Sequence, residues 1–197
     1  ESGGIPSFKG YRGSKNDAPF PTTLCVSIND EIVHGPAASE KIIRTGDLVG
    51  LDIGMKYDGY FTDMAITIGV GKISAEAKKL IKVTRSVLEL AINNIKPGIY
   101  WQEVAGLIQS YVEKNGYSVV RALTGHGVGR LVHEDPKLPN FVGTSSFDRV
   151  LLEENMTLAI EPMISAGTYK IKKSKDKFGY LTEDDSLSAH FEHTVVV

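Results

Sequence analysis

The sequence predicts an α+β fold, a mixed sheet with helices packed on one side. Three observations predict it: a hairpin signature from Leu48 to Ile68, two amphipathic helical stripes directly after it, and strand-like runs through the C-terminal half. At 197 residues, 42 % hydrophobic and 23 % charged, the chain can bury a substantial core. A single domain over residues 1–197 is expected.

The hairpin rests on Tyr57-Asp58-Gly59-Tyr60, whose Asp-Gly centre is a strong two-residue turn signal between apolar runs. If Tyr57 pairs with Tyr60, Gly54 faces Asp63 and Asp52 faces Ala65. Asp52 and Asp63 then share one face as diagonal neighbours, with Cβ atoms roughly 7 to 8 Å apart or slightly less. Ser74 is the expected N-cap of the first helix, which buries Ala77, Leu80, Ile81, Val87, Leu88 and Ala91 and ends at Lys96-Pro97-Gly98. The second helix carries Trp101, Val104, Ala105, Ile108, Tyr111 and Val112 at helical spacing and stops at Gly116. Further strands are expected at Ser118 to Leu123, Met156 to Ile164 and Ser188 to Val197. The first forty residues are rich in Gly and Pro and read as ordered loop, with Phe8, Tyr11 and Phe20 packing onto a neighbouring surface.

Twenty-two basic and 24 acidic residues give a formal charge of −2, without the concentrated basic face of a nucleic-acid binder. The cluster Lys170 to Lys177 is broken by Ile171, Ser174 and Asp176 and reads as a solvated strand or loop. Cys25 is alone and forms no internal disulfide. With no secretory signal and no apolar run of about 18 residues, no membrane partner is expected and the cytoplasm is the expected compartment. The chain opens at Glu1-Ser2-Gly3-Gly4 without an initiator Met and stops inside the apolar run Thr194 to Val197, so an N-terminal segment and the end of the last strand are expected to be missing.

Chemistry concentrates in a few places. In Gly125-His126-Gly127-Val128-Gly129, glycines bring backbone close to something and leave the imidazole unobstructed, which suits a metal ligand or a substrate contact. Acids stand at strand positions where a structural sequence would use valine or isoleucine: Asp52, Glu161 and Glu192. With Asp63 and His126 they make four carboxylates and one imidazole, an oxygen-rich set suited to two divalent ions about 3.5 to 4 Å apart. His190 and His193 are expected on the strand face opposite Glu192, in structural roles.

Five segments together resemble the signatures of type I methionine aminopeptidases: Cys25 to Gly35, Asp52-Ile53-Gly54 through Thr62-Asp63, Gly125 to Pro136, Ile160-Glu161-Pro162-Met163, and Phe191-Glu192-His193-Thr194. The resemblance runs from about Phe8 to the C-terminus, in the family's order. It implies a pita-bread fold, in which two pseudo-symmetric halves curve a largely antiparallel sheet around a dinuclear metal site, and a helical segment preceding the present start. By the same resemblance Asp52 chelates one metal, His126 and Glu161 bind the other, and Asp63 and Glu192 bridge both. Glu161 also serves as general base, His133 meets the substrate carbonyl or oxyanion, and His34 steadies the peptide nitrogen. The methionine pocket is expected from Phe8, Tyr11, Phe20, Cys25, Val132 and Phe178.

The implied activity is removal of the initiator methionine from nascent proteins through metal-activated water, with manganese, iron, cobalt or zinc as cofactor; a monomer is expected, with nascent-chain N-termini and the ribosome as expected partners. Phe20 stands where many bacterial relatives carry tyrosine, Phe178 stands where tryptophan is common, and Arg12 to Ala18 adds length to the pocket loop. A proline-specific relative of the same fold is the nearest alternative, but Met163-Ile164 after Glu161-Pro162 argues against it. A binding protein that lost catalysis is disfavoured because all five implied ligands are present.

Overall fold

A computed structural model of the chain describes residues 3–143 and 149–197. The Asp-Gly turn sets the main hairpin. Asp58 and Gly59 both take positive φ, 48° and 84°, the geometry of a two-residue turn whose twist matches that of the flanking strands. Strands Leu48–Tyr57 and Tyr60–Gly69 pair antiparallel with Tyr57 opposite Tyr60, Gly54 opposite Asp63 and Asp52 opposite Ala65, the register expected from sequence.

This hairpin lies within an eight-stranded sheet. Across the sheet run Ile5–Pro6, Leu48–Tyr57, Tyr60–Gly69, Glu192–Val196, Thr157–Ile160, Gly125–Gly127 and Glu134–Leu138, with Cys25–Ile28 also paired to Leu48–Tyr57. The mixed sheet expected from the order of elements is antiparallel at every pairing among the described residues. Two three-stranded sheets flank it. One joins Ser188–His190, Met163–Ser165 and Ser118–Val119, and the other joins Ile171–Lys173, Tyr180–Thr182 and Glu31–Val33.

Helices α1 (Ala75–Asn94) and α2 (Trp101–Lys114) supply the cover, and their apolar stripes meet the sheet in one core. Ser74 caps α1, its hydroxyl accepting from Ala77 N–H at 3.0 Å. Leu80, Val87, Leu88, Ile108 and Val112 are buried with Leu138, Leu158 and Ile160 of the strands. Ile81 and Tyr111 sit at the stripe edges, only half-buried. The Trp101 indole N–H donates to Pro139 O at 2.7 Å, which lets the largest core side chain bury without an orphan donor. Neither helix is long and apolar enough to cross a membrane.

Three sequence expectations change here. Cys25–Ile28 and Glu31–Val33 are strands, not loop; their short apolar runs are hidden among Gly and Pro but find sheet edges to join. The run Met156 to Ile164 splits at Glu161-Pro162, where proline has no N–H for a ladder, and the pieces Thr157–Ile160 and Met163–Ser165 enter different sheets. Ser188 to Val197 splits likewise at Phe191.

Candidate metal centre

Five neighbouring strands of the large sheet each bring one donor to the same place. Asp52 and Asp63 come from the hairpin, Glu192 opens the next strand, Glu161 directly follows Thr157–Ile160, and His126 is central in Gly125–Gly127. All five side chains are buried. One donor atom each from Asp52, Asp63 and Glu192 lie within 4.8 Å of one another, and so do donors from His126, Glu161 and Glu192. Glu192 belongs to both groups. Two adjacent cation positions sharing a carboxylate fit this arrangement.

The local sequence explains how the side chains are held. A side chain at Gly125 would place its Cβ 2.5 Å from Ala159 O, and one at Gly127 2.2 Å from Asp135 O. The glycines therefore let three strands close around His126. The His126 ring uses Nδ1 on the Gly127 carbonyl at 2.8 Å, an acceptor only, so Nδ1 carries the proton. Nε2 keeps its lone pair and faces Glu161 Oε1 at 3.4 Å. Asn140 Nδ2 donates to the Glu161 backbone carbonyl at 3.0 Å and fixes the turn that aims this acid inward.

The electrostatics ask for positive charge. Burial drives Asp52 and Glu192 well above the usual carboxylate range, with Asp63 and Glu161 respectively as the next cause. Burial also raises Glu161 strongly and brings Asp63 up to about 7. Among the described residues no lysine or arginine pairs with any of the four. Asp52 Oδ1 and Glu192 Oε1 are buried without a hydrogen-bond partner. Buried carboxylates in this state are costly unless protonated or bound to a cation, so the donor set fits divalent metal.

The donors form the floor of a cavity of about 760 Å³. Phe8, Tyr11, Phe20, Cys25, His34, His133 and Phe178 all line it. Phe20 meets Phe8 and Phe178 edge to face, with ring centroids 6.4 and 5.5 Å apart. Burial, then Asp52, pushes the Cys25 thiol up, so it is an inert wall and not a nucleophile. His34 holds a left-handed φ of 60°, a strained position for a residue with a side chain, and its ring lies edge-on to Tyr180 at 5.8 Å. Burial, then Lys173, lowers its pKa to about 4. A smaller cavity of about 330 Å³ shares His34, His126, His133 and Glu161 and adds Arg121 and Lys137.

Two expectations need correction. Val132 is not on the wall: in the bend before Glu134–Leu138 it is buried behind it, where Phe8 and Cys25 take its apolar side chain out of water, while His133 lines the cavity. His190 does not lie opposite Glu192. The two fall in different strands, Ser188–His190 and Glu192–Val196, which part at Phe191, and His190 lines the cavity with Nε2 3.7 Å from Glu161 Oε2 and 3.9 Å from Glu192 Oε2. His193 is exposed, as alternation requires. Residues 16–18, within the added length of the pocket loop, also line the cavity, while Tyr180 and Asn140 belong to the site or its support with no motif to mark them.

A fold of this kind around such a donor set defines a metallopeptidase. The model of metallopeptidase family M24 matches residues 6–197, and the chain belongs to that family. Among similar proteins, the methionine aminopeptidase of Aquifex aeolicus is 43% identical over 99% of this chain and 76% of its own length. The structure of a methionine aminopeptidase from Thermotoga maritima superposes with a TM-score of 0.91 at 43% identity, covering 98% of this chain and 75% of that one. A prolidase from Pyrococcus horikoshii shares the fold less closely, with TM-score 0.69 at 25% identity over 88% of this chain and 44% of its own. The architecture is the pita-bread fold of that family, within the α+β class.

Proposed function

We propose that this chain is a type I methionine aminopeptidase that hydrolyses the initiator methionine from the N-termini of nascent proteins. One observation carries the reading: five adjacent strands deliver four carboxylates and one imidazole to the floor of an aromatic-walled cavity. Asp52, Asp63, His126, Glu161 and Glu192 would hold two divalent ions, with Asp63 and Glu192 shared. Manganese, iron, cobalt and zinc all suit this donor set. Such ions supply Lewis acidity, polarising the peptide carbonyl and lowering the pKa of water.

The chain's own groups do the rest. Phe8, Phe20, Cys25 and Phe178 enclose the methionine side chain, whose thioether gains roughly 0.3 to 1.5 kcal/mol from each aromatic contact. Glu161, which lines the cavity, takes the proton from the attacking water. His133 donates to the carbonyl oxygen as it gains charge, and His34 holds the peptide nitrogen and assists delivery to the leaving amine of the proton that Glu161 took. The smaller cavity offers the remaining peptide a path outward past Arg121 and Lys137.

The test is to supply metal and follow amino acids released from Met-Ala-Ser and Ala-Pro-Ala, beside an Asp63→Ala control. Methionine release alone, lost in the control, is expected. Cleavage before proline would instead place the chain with the prolidases, and no release with metal bound would leave it a binding protein.

A further inference from the structure

We propose that Tyr11 fixes the tautomer of His133, holding its Nε2 protonated so that the ring acts as a hydrogen-bond donor and is withheld from the metals. Tyr11 is a positioning residue in this account. The inference rests on the role given to His133 above and explains how the protein enforces it.

The two imidazoles His126 and His133 lie with ring centroids only 4.5 Å apart. Donor atoms of both fall, together with one from Asp63, within 4.8 Å of one another. By position alone His133 could therefore be a third-side ligand to the same cations. What distinguishes the rings is the group that each meets with Nδ1. His126 Nδ1 faces the Gly127 carbonyl at 2.8 Å, which can only accept. His133 Nδ1 faces the Tyr11 hydroxyl, also at 2.8 Å.

A phenol can donate or accept, but its oxygen lone pair is delocalised into the ring, so it is the better donor, and an imidazole sp² nitrogen is a good acceptor. The favoured bond is thus O–H···Nδ1, and a neutral ring that accepts at Nδ1 must carry its proton at Nε2. The two histidines are left in opposite tautomers. One offers a lone pair to the metal site and the other offers an N–H to the substrate.

Tyr11 is well placed to enforce this. Its ring stands 5.1 Å from that of His133, tilted by 59°. Its backbone is tied to Phe20 on the far side of the pocket loop, with Phe20 N–H donating to Tyr11 O at 2.8 Å and Gly10 N–H to Phe20 O at 2.8 Å. The segment that builds the aromatic wall therefore also sets the proton on His133.

The test is ¹⁵N NMR of histidine-labelled protein at pH 8, where an ordinary imidazole is neutral, metal-free and zinc-loaded. The His133 signals are assigned by their loss in His133→Asn. Expected is a protonated Nε2 and a lone-pair Nδ1 in both forms, with zinc shifting His126 but leaving the His133 Nε2–H in place. In Tyr11→Phe the two His133 nitrogens should move toward the mixed values of an unpartnered ring. A protonated Nδ1 in the wild type, zinc on His133 Nε2, or no change in Tyr11→Phe would each overturn the proposal. None of these readouts needs turnover, so the proposal and the aminopeptidase reading can fail independently.

Discussion

Thr194 clasps the backbone of Asp63: its hydroxyl accepts from the Asp63 N–H at 2.7 Å and donates to the Asp63 carbonyl at 2.9 Å. Regular pairing between these strands is recorded at Glu192 with Ala65 and His193 with Met64, so the side chain replaces the ladder where the two strands diverge. Thr194→Val keeps the shape and leaves both groups without this partner, at a cost of about 1 to 3 kcal/mol. If Asp63 holds metal as proposed, metal affinity should fall with stability, whereas Thr194→Ser should retain both. Calorimetric titration with manganese and a melting curve check this; unchanged affinity in the valine variant would sever Thr194 from the site.

The metal-free protein should lose stability as pH rises above 6.5. A carboxyl raised in the folded state stabilises while protonated, fully below its unfolded value near 4, and loses that contribution as pH climbs through the folded value. Asp63 passes through about 7, with Asp52, Glu161 and Glu192 also raised by burial. The buried imidazoles work the other way: His34, lowered to about 4, and His190, lowered to about 3, weaken the fold only as pH falls below about 6.5. Above that pH the carboxylates act alone. Tm without metal should therefore drop between pH 6.5 and 8, and added divalent metal should raise Tm more at pH 8, where fewer protons must leave. A flat metal-free profile would contradict the coupling.

Much of the site was legible because its signals are local. Asp58-Gly59 fixes a two-residue turn, the turn fixes register, and register puts Asp52 and Asp63 on one face before any fold is known. What stayed hidden depends on distant partners. Thr194 meets Asp63 across 131 positions, and Asn140 reaches the Glu161 carbonyl from outside any motif. The strands Cys25–Ile28 and Glu31–Val33 are too short for periodicity to register against their Gly and Pro surroundings. His190 stayed hidden because its strand ends at Phe191, where the chain passes from one sheet to another, and Val132 because it sits in a bend outside any strand, so alternation governs neither.

Glycine substitutions around His126 should separate into severe and mild. Gly127→Ala drives a Cβ to 2.2 Å from Asp135 O and 2.8 Å from its carbonyl carbon, so backbone must move and His126 with it. At Gly129 the nearest atom is Glu134 Oε2 at 3.2 Å, the far end of a flexible side chain. Gly127→Ala should lower Tm by several degrees and abolish tight metal binding, while Gly129→Ala changes Tm little. Equal behaviour of the two variants would show that strand closeness does not position the imidazole.

Phe20→Ala should damage substrate binding more than turnover. Phe20 meets both Phe8 and Phe178 edge to face and packs against the cluster of Phe8, Cys25 and Val132, so its loss opens the proposed methionine pocket. Discrimination by an apolar pocket is worth about 1 to 3 kcal/mol per methylene, and removing a whole wall ring should raise KM for methionyl peptides at least about tenfold. The change in kcat should be smaller, and preference for methionine over leucine should narrow, because the edge contacts that favour a thioether go with the ring. Steady-state kinetics on Met-Ala-Ser and Leu-Ala-Ser decide it. A fall confined to kcat would mean that Phe20 orders Tyr11 and His133 through the pocket loop and does not hold the side chain.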